Sequence, residues 1–438
     1  MNRRKFLRNT SFVLPTAIAG GNLLKGTNTK SFTGDVPLLS ESWLSVRDQF
    51  ILDHHHIQMA QMLLASHPTR VRNAIAEHRK AFDTNPAAYW EEHFQEAEKK
   101  VCEAAGKYMN VNPEEIALTD STTQGLAMIY NGFKLKPGDE VVATTHDHYV
   151  TDKSLDYACA KKGATIKRIA EYADPSQITV EEVTENFRKA ITEKTRLVVC
   201  TWVQSCTGVK LPIKAISEVV AEANRSRSFN DRIYFSVDGV HGFGNQDVDI
   251  SELGCDIFVA GTHKWIFGPR GTGLAWAKKT VWHMIEPTVP SFRMNPYLDW
   301  MGFPIEGEMT FGDLITPGGF HAFDHRWALG EAFNFHMELG RDRVHQRTTE
   351  LNTMLKEGIE EMGHIKLHTP LDPALSAGIN CIEIDGMDAM ETVAAFHEKG
   401  IISSSSPYRI SYARLTPCII NTEDEVLKCL EVMEGMGV

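Results

Sequence analysis

Short apolar runs alternate with stretches of helical spacing along most of this chain. The segments EVVATT, TRLVVCTW, RIYFSVD and DIFVAGT each have the length of a buried strand, and apolar residues at helical spacing fill most of the intervals. This alternation predicts an α/β fold in which a mainly parallel sheet is covered by helices. From about Leu329 the pattern changes to a long helix, short strands and a final helix, which predicts a small C-terminal α+β domain.

The sequence pattern divides the chain into three parts. Residues 1–31 are predicted to be an export signal and linker, residues 32–330 a large ligand-binding domain, and residues 331–438 the small domain. The formal net charge of −12 and the absence of a basic block beyond the N-terminus favour small-molecule partners over nucleic acid. The eight cysteines are spaced singly, which is typical of buried thiols rather than of a disulfide framework.

The first part of the chain resembles a twin-arginine export signal. It starts with Arg3 and Arg4, continues with a moderately apolar stretch and reaches the small residues before Gly20. This pattern predicts transport to the periplasm by the twin-arginine machinery. The apolar stretch is short and contains Pro15, so no stable membrane anchor is expected. A chance basic N-terminus on a cytoplasmic protein is the alternative.

Polar clusters follow the predicted strands. Because ligands of open α/β sheets bind beyond the carboxyl ends of the strands, we expect these clusters to form one site. Burying the charge of Asp238 or Lys264 alone would be costly, so each should have a partner there. The clusters are residues 121–123, 146–149, 204–208, 238–241 and 262–264.

The residue types at these positions indicate a particular chemistry. A lysine with a lowered pKa, such as Lys264, can form a Schiff base with an aldehyde. An aspartate such as Asp238 can hold the protonated nitrogen of a pyridine ring, and a hydroxyl-rich turn before a helix can bind a phosphate. Together these features predict a site for pyridoxal 5′-phosphate.

With these residues the sequence resembles a known family, the class-V aminotransferases among the fold type I pyridoxal phosphate enzymes. The family includes cysteine desulfurases, isopenicillin N epimerase and C–S lyases, and the isopenicillin N epimerase-like members are the most similar group. The resemblance covers about residues 50–430. It is carried by the motifs DSTTQG, VDGVH, GTHKW and ARLTPCIINTEDEV.

The resemblance implies a role for each matching residue. Lys264 would form the Schiff base and move the substrate Cα proton, Asp238 would keep the pyridine nitrogen protonated, and His148 would stack on the pyridine ring. His241 would reach the phenolic oxygen of the cofactor. Arg414 would bind the α-carboxylate of an amino-acid substrate. The residues implied in phosphate binding are Ser121, Thr122, Thr123, Thr262 and His263.

Some positions depart from the family pattern or are assigned only through it. Ser205 stands where relatives often carry an asparagine that contacts the phenolic oxygen, which puts that contact in doubt. The family usually completes the phosphate site from a second subunit, so a homodimer with shared active sites is implied, with Thr316 or Gly318 as candidates. The run His54 to His56 has no ligand spacing for a metal, although one of its members could line the substrate entrance.

The reaction is only partly narrowed by the sequence. A cysteine desulfurase of this family needs a nucleophilic cysteine some fifteen residues before the arginine, and the segment EKGIISSSSPYRISYAR contains none. An epimerase or aminotransferase acting on an amino acid is therefore expected, with a C–S lyase as the alternative. A non-catalytic ligand sensor is a more remote alternative, because the lysine, the aspartate and the arginine are all present.

Overall fold

A seven-stranded mixed sheet occupies the centre of this computed structural model, which describes residues 42–305 and 307–437. The proposed export signal at residues 1–31 lies outside the described residues. The described strands, in chain order, are β1 (Ile57–Gln58), β2 (Ile116–Thr119), β3 (Glu140–Thr144), β4 (Thr165–Ile169), β5 (Thr195–Thr201), β6 (Tyr234–Asp238), β7 (Ile257–Gly261), β8 (Gly273–Ala277), β9 (Ile365–Leu367), β10 (Asn380–Ile384), β11 (Ile401–Ile402), β12 (Ser404–Ser405) and β13 (Ala413–Leu415).

Helices connect most of these strands. The described α-helices, in chain order, are α1 (Trp43–Arg47), α2 (Thr69–Thr84), α3 (Pro86–Met109), α4 (Thr122–Gly132), α5 (Tyr149–Lys162), α6 (Val180–Ala190), α7 (Ile213–Asn224), α8 (Met294–Trp300), α9 (Phe311–Ile315), α10 (Phe323–Leu339), α11 (Arg341–Glu360), α12 (Ala389–Glu398) and α13 (Glu423–Glu434). Among the described residues, no helix combines the length and the apolar character that crossing a membrane requires.

The large sheet has the strand order β2-β8-β7-β6-β5-β3-β4. Strands β3 to β7 pair in parallel, whereas β8 is antiparallel to both of its neighbours. The mainly parallel sheet predicted from the sequence is therefore confirmed. Its carboxyl ends meet at one edge, because Thr201 pairs with Asp238, and Asp238 in turn pairs with Val259.

The central strands are apolar throughout because helices cover both faces of the sheet. Val198 and Phe258 belong to one buried cluster, whereas their chain neighbours Val199 and Val259 belong to another on the opposite face. Alternate side chains of a strand point to opposite faces, so a strand buried on both sides must be apolar at every position. This explains why the strands appear in the sequence as continuous apolar runs.

A second sheet is built from the C-terminal part of the chain. It is antiparallel, with the order β12-β13-β10-β9, and the long helices α10 and α11 lead into it. The short strand β1 pairs in parallel with β11, which attaches the start of the described chain to this C-terminal region. Residue 330, where the sequence pattern placed the domain boundary, lies inside α10, and the proposed division remains a prediction.

Strands β6 and β7 approach each other closely where the site begins. A Cβ atom added at Gly239, directly after β6, would lie 2.0 Å from a ring carbon of Phe258 on β7. Gly239 therefore lets the chain turn away from Asp238 while the Phe258 ring stays packed in the core.

We expect Gly239→Ala to lower the free energy of unfolding by about 1–3 kcal/mol, the usual cost of overpacking a core. Urea unfolding monitored by circular dichroism measures this change. Gly363→Ala is the matched control, since no atom lies within 4 Å of its added Cβ. Equal stability of the two variants would contradict the close approach of β6 and β7.

Candidate active site

A cavity of about 160 Å³ lies at the carboxyl edge of the large sheet. Its wall combines loops that follow β2, β3, β5, β6 and β7 with one loop of the small sheet. The lining residues are Met62, Leu63, Ser121, Thr122, Thr123, Leu126, His148, Val150, Thr201, Ser205, Asp238, Val240, His241, His263, Lys264, Pro407, Tyr408 and Arg414.

The start of α4 forms one end of the cavity. Ser121 is the N-cap, and its hydroxyl accepts a hydrogen bond from the Gln124 N–H at 3.1 Å. The N–H groups of Thr122 and Thr123 in the first turn have no acceptor within the helix, so they can bind an anion, which the helix dipole also favours. A Cβ at Gly261 would lie 2.8 Å from the Thr122 hydroxyl. This glycine thus lets the end of β7 come close to the turn.

His263 and Thr262 follow β7 but have different surroundings. His263 lines the cavity, and its buried Nδ1 has no hydrogen-bond partner among the described residues. The Thr262 side chain is fully buried outside the cavity wall, and its hydroxyl lies 2.5 Å from the hydroxyl of Thr272. Thr262 therefore supports the loop, and the expected direct phosphate contact fits His263 better.

Asp238 is the last residue of β6 and is 3% exposed. One carboxylate oxygen accepts the Val240 N–H at 3.1 Å. Burial raises the pKa of Asp238 to about 6, although the Val240 N–H and the charge of Lys264 oppose this rise. No ion pair joins Asp238 to Lys264 among the described contacts. A bound ligand that is cationic or donates an N–H would therefore stabilise the ionised carboxylate.

Lys264 places its amine in the cavity beside His241. Burial lowers the pKa of Lys264 to about 8; the Asp238 charge opposes this effect and the Arg414 charge adds to it. The Trp265 indole N–H donates to His241 Nδ1 at 3.4 Å, so neutral His241 carries its proton on Nε2. Since Nε2 lies 3.2 Å from the Lys264 Nζ, this contact favours a neutral, nucleophilic amine.

His148 is the N-cap of α5, where its Nδ1 accepts the Val150 N–H at 3.3 Å. Burial lowers the pKa of His148, and the charges of Lys264 and Arg414 lower it further. The imidazole ring also contacts the Tyr408 ring edge to face at 5.9 Å. These contacts hold an uncharged flat ring in the cavity wall.

A buried carboxylate that the sequence analysis did not assign a role holds the His148 loop in place. Asp147 accepts hydrogen bonds from the Thr144 N–H at 3.0 Å and from the Thr201 N–H at 2.9 Å. Burial and the nearby charge of Glu171 raise its pKa to about 7. Asp147 therefore connects the ends of β3 and β5, and the loops that follow these strands bring His148 and Ser205 to the cavity.

Arg414 enters the cavity from β13 of the small sheet. Its Nε donates to the Ser404 hydroxyl at 3.2 Å, and its two terminal nitrogens donate to the carbonyl oxygens of Ser205 at 3.0 Å and Ser405 at 2.6 Å. An arginine has five N–H groups, so one N–H on each terminal nitrogen remains for a ligand. The arrangement suits bidentate binding of a carboxylate.

Two parts of the cavity wall were not predicted from the sequence. Tyr408 lies in the loop between β12 and β13, and its hydroxyl is 2.8 Å from the Ser205 hydroxyl. Met62 and Leu63 belong to the segment after β1, which is bonded to the lysine loop through the Ala65 N–H and the His263 carbonyl at 3.1 Å. An apolar pair and a loop tyrosine have no motif, so only the folded chain brings them to the site.

The remaining candidates lie outside the cavity. Thr316 is 3% exposed, and its hydroxyl accepts the Leu118 N–H at 3.2 Å, so it is engaged within its own chain and Gly318 is the better candidate for a shared site. His54, His55 and His56 do not line the cavity, and His56 Nδ1 lies 2.5 Å from an Asp53 oxygen.

The donor set of this cavity fits pyridoxal 5′-phosphate. The cofactor has a phosphate, a ring nitrogen and an aldehyde, and the cavity supplies the α4 N-terminus, the buried Asp238 carboxylate and the Lys264 amine for these groups. The buried Nδ1 of His263 beside the α4 turn lacks the partner that a phosphate oxygen would provide.

Several known proteins are similar to this chain. An isopenicillin N epimerase of Streptomyces clavuligerus is 25% identical over 349 residues, which cover 76% of this chain and 83% of the relative. A probable cysteine desulfurase of Halalkalibacterium halodurans is 26% identical over 293 residues, 66% of each protein. An aminotransferase-like protein of Gibberella zeae is 36% identical over 169 residues, 38% of this chain and 39% of the relative.

Solved structures confirm the predicted fold. The cystine C–S lyase C-DES in complex with its product cysteine persulfide has a TM-score of 0.77 and 21% identity, and the alignment covers 88% of this chain and 99% of that one. A C-DES mutant with glycine covalently linked to its pyridoxal phosphate cofactor has a TM-score of 0.79 at 21% identity, over 89% and 98% of the two chains. The family model "Aminotransferase class-V" matches residues 65–407. The chain that builds this cavity therefore belongs to the class-V aminotransferase family of pyridoxal phosphate enzymes, the family that its motifs resemble.

Proposed function

We propose that this protein acts on an amino acid by removing the proton from its Cα atom, with epimerisation or transamination as the outcome. The observation that carries the proposal is the meeting of Lys264, Asp238 and Arg414 in one cavity with the anion-binding start of α4. Lys264 supplies a base, Asp238 a partner for the ring nitrogen, and Arg414 a binding group for the substrate carboxylate. The contacts of each group within the protein leave it able to bind a ligand.

When bound, pyridoxal phosphate supplies an electron sink for the bond that breaks at Cα. The turn at Ser121 would hold its phosphate, and Asp238 would pair with its ring nitrogen. In this pairing Asp238 would be ionised, because a cationic N–H next to the carboxylate favours the charged form. The flat ring of His148 lies in the wall, where it excludes water from one side of the site.

Lys264 is the base in this proposal. Its amine lines the cavity and faces the Nε2 proton of His241, and desolvation lowers its pKa to about 8, so the neutral form that can accept a proton is accessible near neutral pH. Arg414 orients the substrate by holding its carboxylate with the two N–H groups that the protein leaves free. The position of Arg414 relative to Lys264 then determines which bond at Cα faces the base.

The cysteines argue against a desulfurase that uses a thiol nucleophile. The described cysteines are all buried, and burial raises the pKa of Cys206, the neighbour of Ser205, and of Cys381. The segment before Arg414 in which such a thiol would lie, residues 398–413, contains no cysteine and carries serines at 403–406. Elimination of a side-chain group, as in the cystine C–S lyase, needs no such thiol and is the alternative outcome.

Assembly and location are further proposals. The family usually works as a homodimer with shared sites, and the Gly318 loop is the candidate for the shared contact. Export by the twin-arginine route is supported by the sequence of residues 1–31. This route suits a protein that binds its cofactor before transport.

The first expected result concerns the cofactor and the reaction. The wild-type protein incubated with pyridoxal phosphate should develop a visible absorbance band, which Lys264→Ala should lack. With L-amino acids in deuterated water, deuterium at Cα without keto acid indicates epimerisation, keto acid indicates transamination, and pyruvate from cystine indicates elimination. A wild-type protein that stays colourless would contradict the proposal. An absorbance band without any deuterium exchange at Cα would favour the alternative of a non-catalytic ligand sensor.

A second experiment tests whether the cofactor attaches to Lys264 because of its position in the cavity or only because of its low pKa. After borohydride reduction, mass spectrometry should locate the cofactor on Lys264 and not on Lys356. Lys356 is the matched control, because burial lowers its pKa to about 8 as well, while its amine is bonded to the Pro370 and Leu371 carbonyls and the Ser376 hydroxyl outside the cavity. Equal labelling of both lysines would mean that the cavity does not direct the attachment.

The third expected result concerns pH. The rate at which the apoprotein attaches pyridoxal phosphate should rise with pH and reach half of its maximum near pH 8, because the neutral Lys264 amine is the nucleophile. The Asp238 charge raises the Lys264 pKa, so Asp238→Asn should move this midpoint to lower pH. Asp249→Asn, a change outside the cavity, is the control and should leave the midpoint in place. Stopped-flow absorbance measures the rate, and a shift to higher pH in Asp238→Asn would contradict the argument.

A further inference from the structure

Two segments from different sheets hold the guanidinium of Arg414. The Ser205 carbonyl belongs to the loop after β5 of the large sheet, whereas the Ser404 hydroxyl and the Ser405 carbonyl belong to β12 of the small sheet. The plane of the guanidinium is therefore set by both segments together. If either segment moved alone, the two N–H groups left for a carboxylate would turn away from the cavity.

A hydrogen bond between two hydroxyl groups joins the same two segments. The Tyr408 hydroxyl lies 2.8 Å from the Ser205 hydroxyl, and the Tyr408 ring contacts the His148 ring at 5.9 Å. The base of the Tyr408 loop is closed by Ser406, whose N–H donates to the Tyr412 carbonyl at 2.9 Å and whose hydroxyl accepts the Tyr412 N–H at 2.9 Å. This closure directs Tyr408 toward the cavity.

The loop residues that follow Tyr408 are exposed to solvent. Arg409 and Ile410 are both exposed, and Ile410 is 67% accessible. A tyrosine at an exposed loop tip would ordinarily be hydrated as well. The inward position of Tyr408 thus depends on its contacts with Ser205 and His148.

We propose that Tyr408 is a positioning residue: its hydrogen bond to Ser205 fixes the two segments that orient Arg414, and it thereby selects substrates that carry an α-carboxylate. This inference rests on the proposed function and adds a selectivity determinant to it. Tyr408 acts through Arg414 and the Ser205 loop. Burial raises the pKa of the Tyr408 phenol, which keeps the hydroxyl protonated and able to donate.

The effect on binding follows from geometry. Bidentate binding of a carboxylate needs both N–H groups in one plane, and small misplacements of an orienting group are costly. An amine without a carboxylate makes no use of this plane. Loss of the Tyr408 hydroxyl should therefore weaken carboxylate ligands selectively.

Glycine and glycinamide are the probes for this test, because neither has a side chain whose pocket is unknown. Their binding to the cofactor-loaded protein is followed by the change in the visible spectrum, which reports binding without turnover. We expect Tyr408→Phe to raise the half-saturating concentration of glycine about three- to tenfold, the usual worth of one hydrogen bond, and that of glycinamide less than about twofold.

Two further variants sharpen the test. Ser205→Ala removes the other hydroxyl and keeps the carbonyl that binds Arg414, so it should match Tyr408→Phe, and the double variant should be no weaker than either single one. Tyr412→Phe makes the same chemical change on the same loop, where the Tyr412 ring stacks on His368 at 3.9 Å outside the cavity. It should bind both probes as the wild type does.

The possible failures are distinguishable. If the visible band of Tyr408→Phe equals that of the wild type and both probes weaken equally, or neither weakens, the positioning role of Tyr408 is overturned and the proposed function stands. Additive losses in the double variant would also overturn it. A wild-type protein that forms no band would overturn the proposed function, and the inference with it.

Discussion

A buried charge must have a partner, and this requirement organises the whole site. Asp238 ends β6 and is buried, Lys264 lies three residues after the neighbouring parallel strand β7 and lines the same cavity, and no ion pair joins the two among the described contacts. Burial shifts the pKa of each group toward its neutral form. A ligand that offers a cationic ring nitrogen to the first and a carbonyl to the second resolves this cost, which is why the cavity suits its cofactor so specifically.

In the proposed function, the substrate is bound by a different part of the chain than the cofactor. The large sheet supplies Lys264, Asp238 and the anion-binding turn, whereas Arg414 comes from the small sheet. The Ser205 loop is the point at which the two contributions are joined. The chemistry of the cofactor and the recognition of the amino acid can therefore change separately, which is consistent with epimerases, desulfurases and C–S lyases sharing this architecture.

The sequence was sufficient for the parts of the site that depend on neighbours along the chain. The mainly parallel sheet and the clusters at the strand ends could be predicted, because apolar runs and the residues that follow them are local features. Thr262 was placed in the phosphate site, yet the structure buries its hydroxyl against Thr272. Asp147 and Tyr408 could not be assigned, since their partners Thr201 and Ser205 are brought to them only by tertiary packing.

The attachment of the first described strand has a consequence for how the protein is made. The Met59 carbonyl accepts hydrogen bonds from the N–H and the hydroxyl of Thr416, a residue 357 positions later and two beyond Arg414. At ordinary rates of translation this separation corresponds to tens of seconds. The segment after β1 therefore remains without its final partner during this time, and the site is completed only after Arg414 and Thr416 have been synthesised.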